Sequence, residues 1–113
     1  MNKRNHLEFD LQRNIIKWVN LQKPGVFVFH PANSGTVRDK FEAFNRKRLG
    51  LRAGVSDLVL MFPDGTVEFV ELKSPTGTLT DSQKGFKKIC ENFRFKYHLC
   101  RSLDEFIKIT KRR

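Results

Sequence analysis

The sequence predicts an α/β fold: a mixed β-sheet flanked by helices on both sides, in the order α-β-β-β-α-β-α. Two apolar, β-branched runs flank Pro63-Asp64-Gly65, a typical hairpin turn because Pro fixes φ and Gly accepts positive φ. Both faces of this hairpin, which spans 54–73, are apolar, as is typical of a sheet covered on both sides. The segment 71–99 has a strand–helix–strand pattern, which predicts a parallel crossover.

The elements before the hairpin follow from hydrophobic periodicity and breaker residues. An apolar stripe at helical spacing predicts a first helix, which Pro24-Gly25 ends. The stripe comprises Leu7, Leu11, Ile15 and Trp18, supported by Ile16, Val19 and Leu21. Residues 26–30 are a first strand, stopped by Pro31. We expect a short helix over 37–47 and a mobile loop over 50–54.

The elements after the hairpin begin with two capping boxes. Thr80 with Gln83 predicts the start of one helix, and Ser102 with Glu105 predicts the start of the terminal helix. Residues 95–100 read as the last strand between them. The expected buried side chains are Phe86, Ile89, Cys90 and Phe93 on the first of these helices, and Phe106, Ile107 and Ile109 on the second.

The hairpin register brings charged side chains together on one face. A loop over 63–65 puts Phe62 opposite Thr66, and counting back along both strands puts Asp57 opposite Glu71. Because side chains alternate between faces, Lys73 shares the face of Glu71. Opposed like charges are destabilising and Lys73 can neutralise only one, so a bound divalent cation would balance the surplus. The alternative is a pair of solvated carboxylates at the rim of the sheet, without function.

These residues resemble a known nuclease superfamily. Asp57 followed by Glu71-Leu72-Lys73 looks like the D…(E/D)-x-K signature of the PD-(D/E)XK nucleases, with Ser56 where the superfamily name has Pro, a position that is not a ligand. The run from Gly54 to Asp57, with Gln83 after a short Gly-containing loop, is similar to the VRR-NUC branch, the virus-type replication-repair nucleases. The resemblance implies a restriction-endonuclease-like core and one nuclease domain over 1–113, with a basic loop over 36–53 before the catalytic hairpin.

The resemblance also implies which residues act. Asp57, Glu71 and the main-chain carbonyl of Leu72 would offer oxygen ligands to Mg²⁺ or Mn²⁺, which prefer such hard donors. Lys73 would orient the attacking water or stabilise the transition state.

Two further catalytic residues, Glu8 and Gln83, are carried over from the family. Nucleases of this family have an acidic residue on the first helix, here Glu8, that helps to position the metal site. Gln83 would lie beside the catalytic Lys73, although its place in the capping box already explains it structurally. These two roles are expected to compete for one amide.

Net charge predicts the partner. A formal charge of +10 on 113 residues favours a polyanion. Nucleic acid is favoured over an anionic membrane because no basic helix with a clean apolar face stands out. Cations interleaved with Phe41 and Phe44 suit contacts to phosphates and bases, and the alternative is a solvated loop with both Phe side chains in the core. We expect these Phe residues to be buried and the cations to be functional. The predicted DNA-binding residues are Arg38, Lys40, Arg46, Lys47, Arg48 and Arg52.

The predicted function is a metal-dependent DNA endonuclease in replication, repair or recombination, selective for branched or four-way junction DNA. We expect a homodimer, since a junction is cut on two strands and a two-fold axis supplies two sites. The alternative is a non-catalytic, basic nucleic-acid-binding module. A cytoplasmic location is expected because no apolar run reaches the ~18–20 residues of a membrane span and the N-terminus lacks a signal-peptide core. The two cysteines are expected to be free thiols.

Overall fold

The structure is a computed structural model, and it describes residues 3–31, 45–46 and 48–111. The helices and strands are α1 (Lys3–Gln22), β1 (Phe27–Phe29), β2 (Leu58–Met61), β3 (Val67–Leu72), α2 (Asp81–Asn92), β4 (Lys96–Cys100) and α3 (Leu103–Thr110). This is the predicted element order. Of the short helix expected over 37–47, only residues 45 and 46 are described, and both are helical.

The sheet has four strands in the order β1-β2-β3-β4. The first two pairings are antiparallel, and β3 pairs with β4 in parallel across the α2 crossover. Met61 pairs with Val67 and Leu58 with Val70. The hairpin register is therefore confirmed, and Asp57 and Glu71 are the next residues beyond the last pair.

One face of the sheet carries the core and is covered by α1 and α3. Its buried side chains are Ile15, Val19, Leu58, Leu60, Phe62, Val70, Leu72, Cys100 and Phe106. Fully burying one such side chain contributes about 1.5–3 kcal/mol. Two positions of the α1 stripe differ from expectation, since Leu7 is 44% and Leu21 is 69% exposed. A helix of 20 residues is about 30 Å long, so its ends extend past the short strands.

The opposite face is covered by α2 over β3 and β4. The Phe86 ring packs edge-on against Phe69, with centroids 5.4 Å apart, and lies 6.2 Å from Tyr97. Two residues expected on the buried face of α2 are exposed, Ile89 by 47% and Phe93 by 70%. Phe93 is the C-cap, where the helix leaves the sheet. Ile89 precedes the buried Cys90 by one residue, so it points about 100° away around the helix.

Three further findings concern a buried carboxylate, the cysteines and membrane spans. Glu68 is fully buried on the core face, and its Oε1 lies 2.7 Å from His98 Nε2. Cys90 and Cys100 are buried free thiols, as expected. Within the described residues, no helix combines the length and apolarity needed to cross a membrane.

Candidate active site

Asp57, the residue before β2, is held by one backbone group and one side chain. Its Oδ2 accepts a hydrogen bond from the Leu72 N–H at 2.8 Å. Its main-chain oxygen lies 2.6 Å from His30 Nδ1, which must carry the hydrogen because a carbonyl only accepts. The Asp57 carboxylate is therefore fixed against the end of β3, beside Glu71.

Glu71 is a buried carboxyl, 2% exposed, in crowded electrostatic surroundings. Burial, as the largest cause, and the adjacent Asp57 carboxyl together raise the pKa of Glu71 to about 9. Lys73 opposes this rise, with its Nζ 3.9 Å from Glu71 Oε2, whereas Glu8 adds to it. In the absence of a cation, Glu71 therefore holds a proton at neutral pH.

Gln83 links the first turn of α2 to this carboxyl. Its Oε1 accepts from the Thr80 N–H at 2.9 Å, and Thr80 Oγ1 accepts from the Gln83 N–H at 3.3 Å, so the capping box is complete. Its Nε2 donates to Glu71 Oε2 at 3.1 Å. The prediction that capping and the site would compete for the Gln83 amide was wrong. The amide oxygen accepts the capping hydrogen bond, while the amide nitrogen donates to Glu71.

Gly54 allows α2 to approach this closely. A Cβ at Gly54 would overlap the Ser82 carbonyl and lie 2.8 Å from the Gln83 nitrogen. Its φ of +86° is also a conformation that favours glycine. The glycine three residues before Asp57 therefore packs directly against the turn that carries Gln83.

Glu8 reaches the site from α1. Its Oε1 accepts from the Ser74 N–H at 3.2 Å, immediately after Lys73. The structure thus brings Glu8, Asp57, Glu71, Lys73 and Gln83 to one end of β3, where Leu72 supplies the main-chain contact to Asp57.

Donor chemistry tests whether a cation fits here. Among the described residues, no three His, Cys, Asp or Glu side chains form a cluster that could hold a metal ion. Glu71 Oε1, however, is buried without a hydrogen-bond partner in that part of the chain. Mg²⁺ typically uses one or two carboxylates and completes its shell with water and substrate phosphates. Asp57, Glu71 and the Leu72 carbonyl fit that pattern.

The predicted DNA-binding residues are only partly described. Arg48 and Arg52 are exposed and Arg46 is half-buried. Arg38, Lys40 and Lys47 lie outside the described residues.

Sequence reasoning missed two charged residues near the sheet. The confirmed register pairs Glu68 with Leu60, and that pairing could have revealed a carboxylate on the core face. Arg101 hydrogen-bonds the loop after Lys73, and no local pattern marks it.

Comparison with known proteins identifies the family and the fold. A model of the VRR-NUC domain matches residues 2–104. Among solved structures, a "VRR_NUC domain protein" aligns with a TM-score of 0.71 at 19% identity, over 92% of this chain and 84% of that one. At such identity the likeness shows the fold. No curated protein matches the chain. Because the family model covers nearly all of the sequence, the chain belongs to the VRR-NUC family of nucleases, which are generally metal-dependent.

Proposed function

We propose that the protein is a Mg²⁺- or Mn²⁺-dependent DNA endonuclease, with residues 1–113 acting as one nuclease domain. One observation carries the proposal. Asp57 and Glu71 lie side by side with a buried carboxylate oxygen that no described group satisfies, and Lys73 and Gln83 contact the same carboxylate. Ionising both of these neighbouring carboxyls is costly unless a cation joins them.

The chain would hold the cation with Asp57, Glu71 and the Leu72 carbonyl. A bound divalent cation supplies Lewis-acid chemistry, lowering the pKa of a coordinated water and neutralising charge that develops on the phosphate. Both carboxylates must be ionised to serve, so Glu71 has to give up the proton that its raised pKa retains.

Lys73 and Gln83 would then act around Glu71. The Lys73 ammonium lies 3.9 Å from Glu71 Oε2 and can orient the attacking water or stabilise charge on the phosphate. Gln83 donates to the same oxygen from a capped helix turn, which fixes the orientation of the Glu71 carboxylate.

DNA is the proposed substrate because a net charge of +10 favours a polyanion and the family is one of nucleases. Selectivity for branched or four-way junction DNA, a homodimeric state, and a place in replication, repair or recombination rest on the family resemblance and on the symmetry of paired cuts.

A cleavage gel tests the proposal. Single-stranded, duplex, flapped and four-way DNA would be incubated with the protein in Mg²⁺, Mn²⁺ or EDTA. Asp57→Asn, Glu71→Gln and Lys73→Ala should each lower cleavage by at least about 10²–10³-fold while DNA binding persists. Asp64→Asn is the matched control, since it removes a carboxylate at the other end of the same hairpin.

Two results would contradict the proposal. Cleavage at the wild-type rate by Asp57→Asn would show that the reaction does not take place at this site. Binding without cleavage of any of the four substrates, in either metal, would instead favour the non-catalytic nucleic-acid-binding module.

A further inference from the structure

The residues after Lys73 fold into a tight loop, 74–77, that lies over its side chain. The Gly77 N–H donates to both the main-chain oxygen and the Oγ of Ser74, each at 3.1 Å. A Cβ on Gly77 would lie 3.4 Å from Lys73 Cδ and 3.6 Å from Glu8 Oε1. Gly77 therefore lies close to the aliphatic stem of Lys73 and to the Glu8 carboxylate.

Arg101, between β4 and α3, holds this loop from the other side. Its Nη1 donates to the carbonyls of Ser74 at 2.7 Å and Gly77 at 2.6 Å, with a longer contact of 3.4 Å to Pro75. Hydrogen bonds from a charged donor are about twice as strong as those between neutral groups. One guanidinium nitrogen thus ties together both ends of the loop.

Arg101 is itself fixed to the core. The main-chain N–H of Arg101 donates a hydrogen bond to Glu105 Oε1 at 2.7 Å, in the first turn of α3. The preceding residue, Cys100, is fully buried, and its main-chain carbonyl accepts a hydrogen bond from the Lys73 N–H at 3.0 Å. Arg101 therefore bonds the loop from a position that is rigid relative to the Lys73 backbone.

We propose that Arg101 is a positioning residue for Lys73. By holding the 74–77 loop against the Lys73 stem, it fixes the ammonium beside Glu71 without touching the reacting atoms. The link to cleavage rests on the proposed function of Lys73, whereas the link from Arg101 to the loop stands on the contacts alone. Misplacing a reacting group by about 1 Å can cost about 10²-fold in rate.

Two substitutions and one control separate this role from others. Arg101→Met keeps the length of the stem and removes every donor, while Arg101→Lys keeps the charge and three donors. Lys108→Met removes the same charge from the exposed side of α3 and is the matched control. The readouts are amide hydrogen exchange of the full chain, the free energy of unfolding, and kcat and KM for the DNA that the wild type cleaves best.

For Arg101→Met we expect exchange at Ser74 and Gly77 to accelerate at least about tenfold, with Leu60 and Val70 unchanged. We expect kcat to fall about 10–100-fold and KM to stay within about threefold. Arg101→Lys should recover part of kcat, and Lys108→Met should match the wild type.

Three outcomes would overturn the proposal. Unchanged loop exchange would show that Arg101 does not hold the loop. A raised KM with normal kcat would make Arg101 a DNA contact, and faster exchange throughout the core would make it a general stabiliser. An inactive wild type would refute the proposed function instead, and loop exchange would still decide whether Arg101 holds the loop.

Discussion

At the residue scale, charge is confined around Glu71. Its carboxyl is buried beside Asp57, its Oε1 has no partner among the described residues, and the Lys73 ammonium is 3.9 Å from its other oxygen. This separation is at the outer limit of an ion pair, so Lys73 compensates only part of the burial cost. A residue that folding disfavours in its ionised form is typical of a functional site.

This burial predicts how the stability of the protein depends on pH. The pKa of Glu71 is about 9 in the folded state and near the ordinary 4.5 in the unfolded chain. Between these values the folded state binds one more proton, so stability falls as pH rises from about 4.5 to 9. Glu71→Gln removes the titrating group. In EDTA at pH 9 we expect its free energy of unfolding to exceed that of the wild type by about 1–3 kcal/mol.

Urea denaturation at pH 6 and pH 9 measures this difference. Asp64→Asn, which changes an exposed carboxylate of the turn, should keep the pH dependence of the wild type. Equal pH dependence for Glu71→Gln and the wild type would contradict the raised pKa of Glu71.

At the element scale, the position of α2 depends on its contact with the segment before β2. Gly54 lies against Ser82 and Gln83 at the first turn of α2, and Gln83 reaches Glu71 from that turn. The approach of two backbones thus sets the distance between the capping box and the carboxylates.

Gly54→Ala tests this contact. The added Cβ overlaps the Ser82 carbonyl, which is backbone and cannot move away as a side chain could. We expect α2 to shift, the Gln83–Glu71 hydrogen bond to break, and cleavage to fall at least about tenfold, with a loss of stability of about 2–4 kcal/mol.

Gly50→Ala is the matched control, because Gly50 has a similar φ of +90° and no atom near its missing Cβ. It should lose only the strain of positive φ, about 1–2 kcal/mol, and keep its cleavage activity. Equal losses of stability and cleavage in the two variants would exclude the contact as the cause.

At the scale of the whole molecule, the net charge of +10 predicts binding that depends on salt. The slope of log K against log salt should be roughly −0.9 per phosphate contacted on duplex DNA. Replacing Arg46, Lys47 and Arg48 by Ala should flatten this slope. In the comparison variant, Ala replaces Lys84, Lys87 and Lys88 of α2. A slope that changes only in that variant would show that the DNA contacts α2 instead.

The expected dimer is also a property of the whole molecule. Light scattering at micromolar concentration should give about twice the 13.3 kDa of the chain, with paired nicks on opposite strands of a four-way junction. A mass near 13.3 kDa, both free and with DNA bound, would rule out the dimer and leave nicking of flaps or duplex.

The sequence by itself determined the hairpin and what it aligns. Pro63 and Gly65 set the length of the loop, and a side-chain period of two then requires Glu71 and Lys73 to share a face beside Asp57. These relations are local, because each depends only on residues joined through one turn.

Only the tertiary structure decided through which contacts distant groups meet this hairpin. Gln83 could be recognised as a cap, but its second bond needs α2 to lie against Gly54. No local pattern marks Arg101, and its bonds to the 74–77 loop exist because β4 runs parallel to β3 and ends beside it. Such contacts depend on how elements pack, and packing depends on the fit of whole surfaces, which no short stretch of sequence contains.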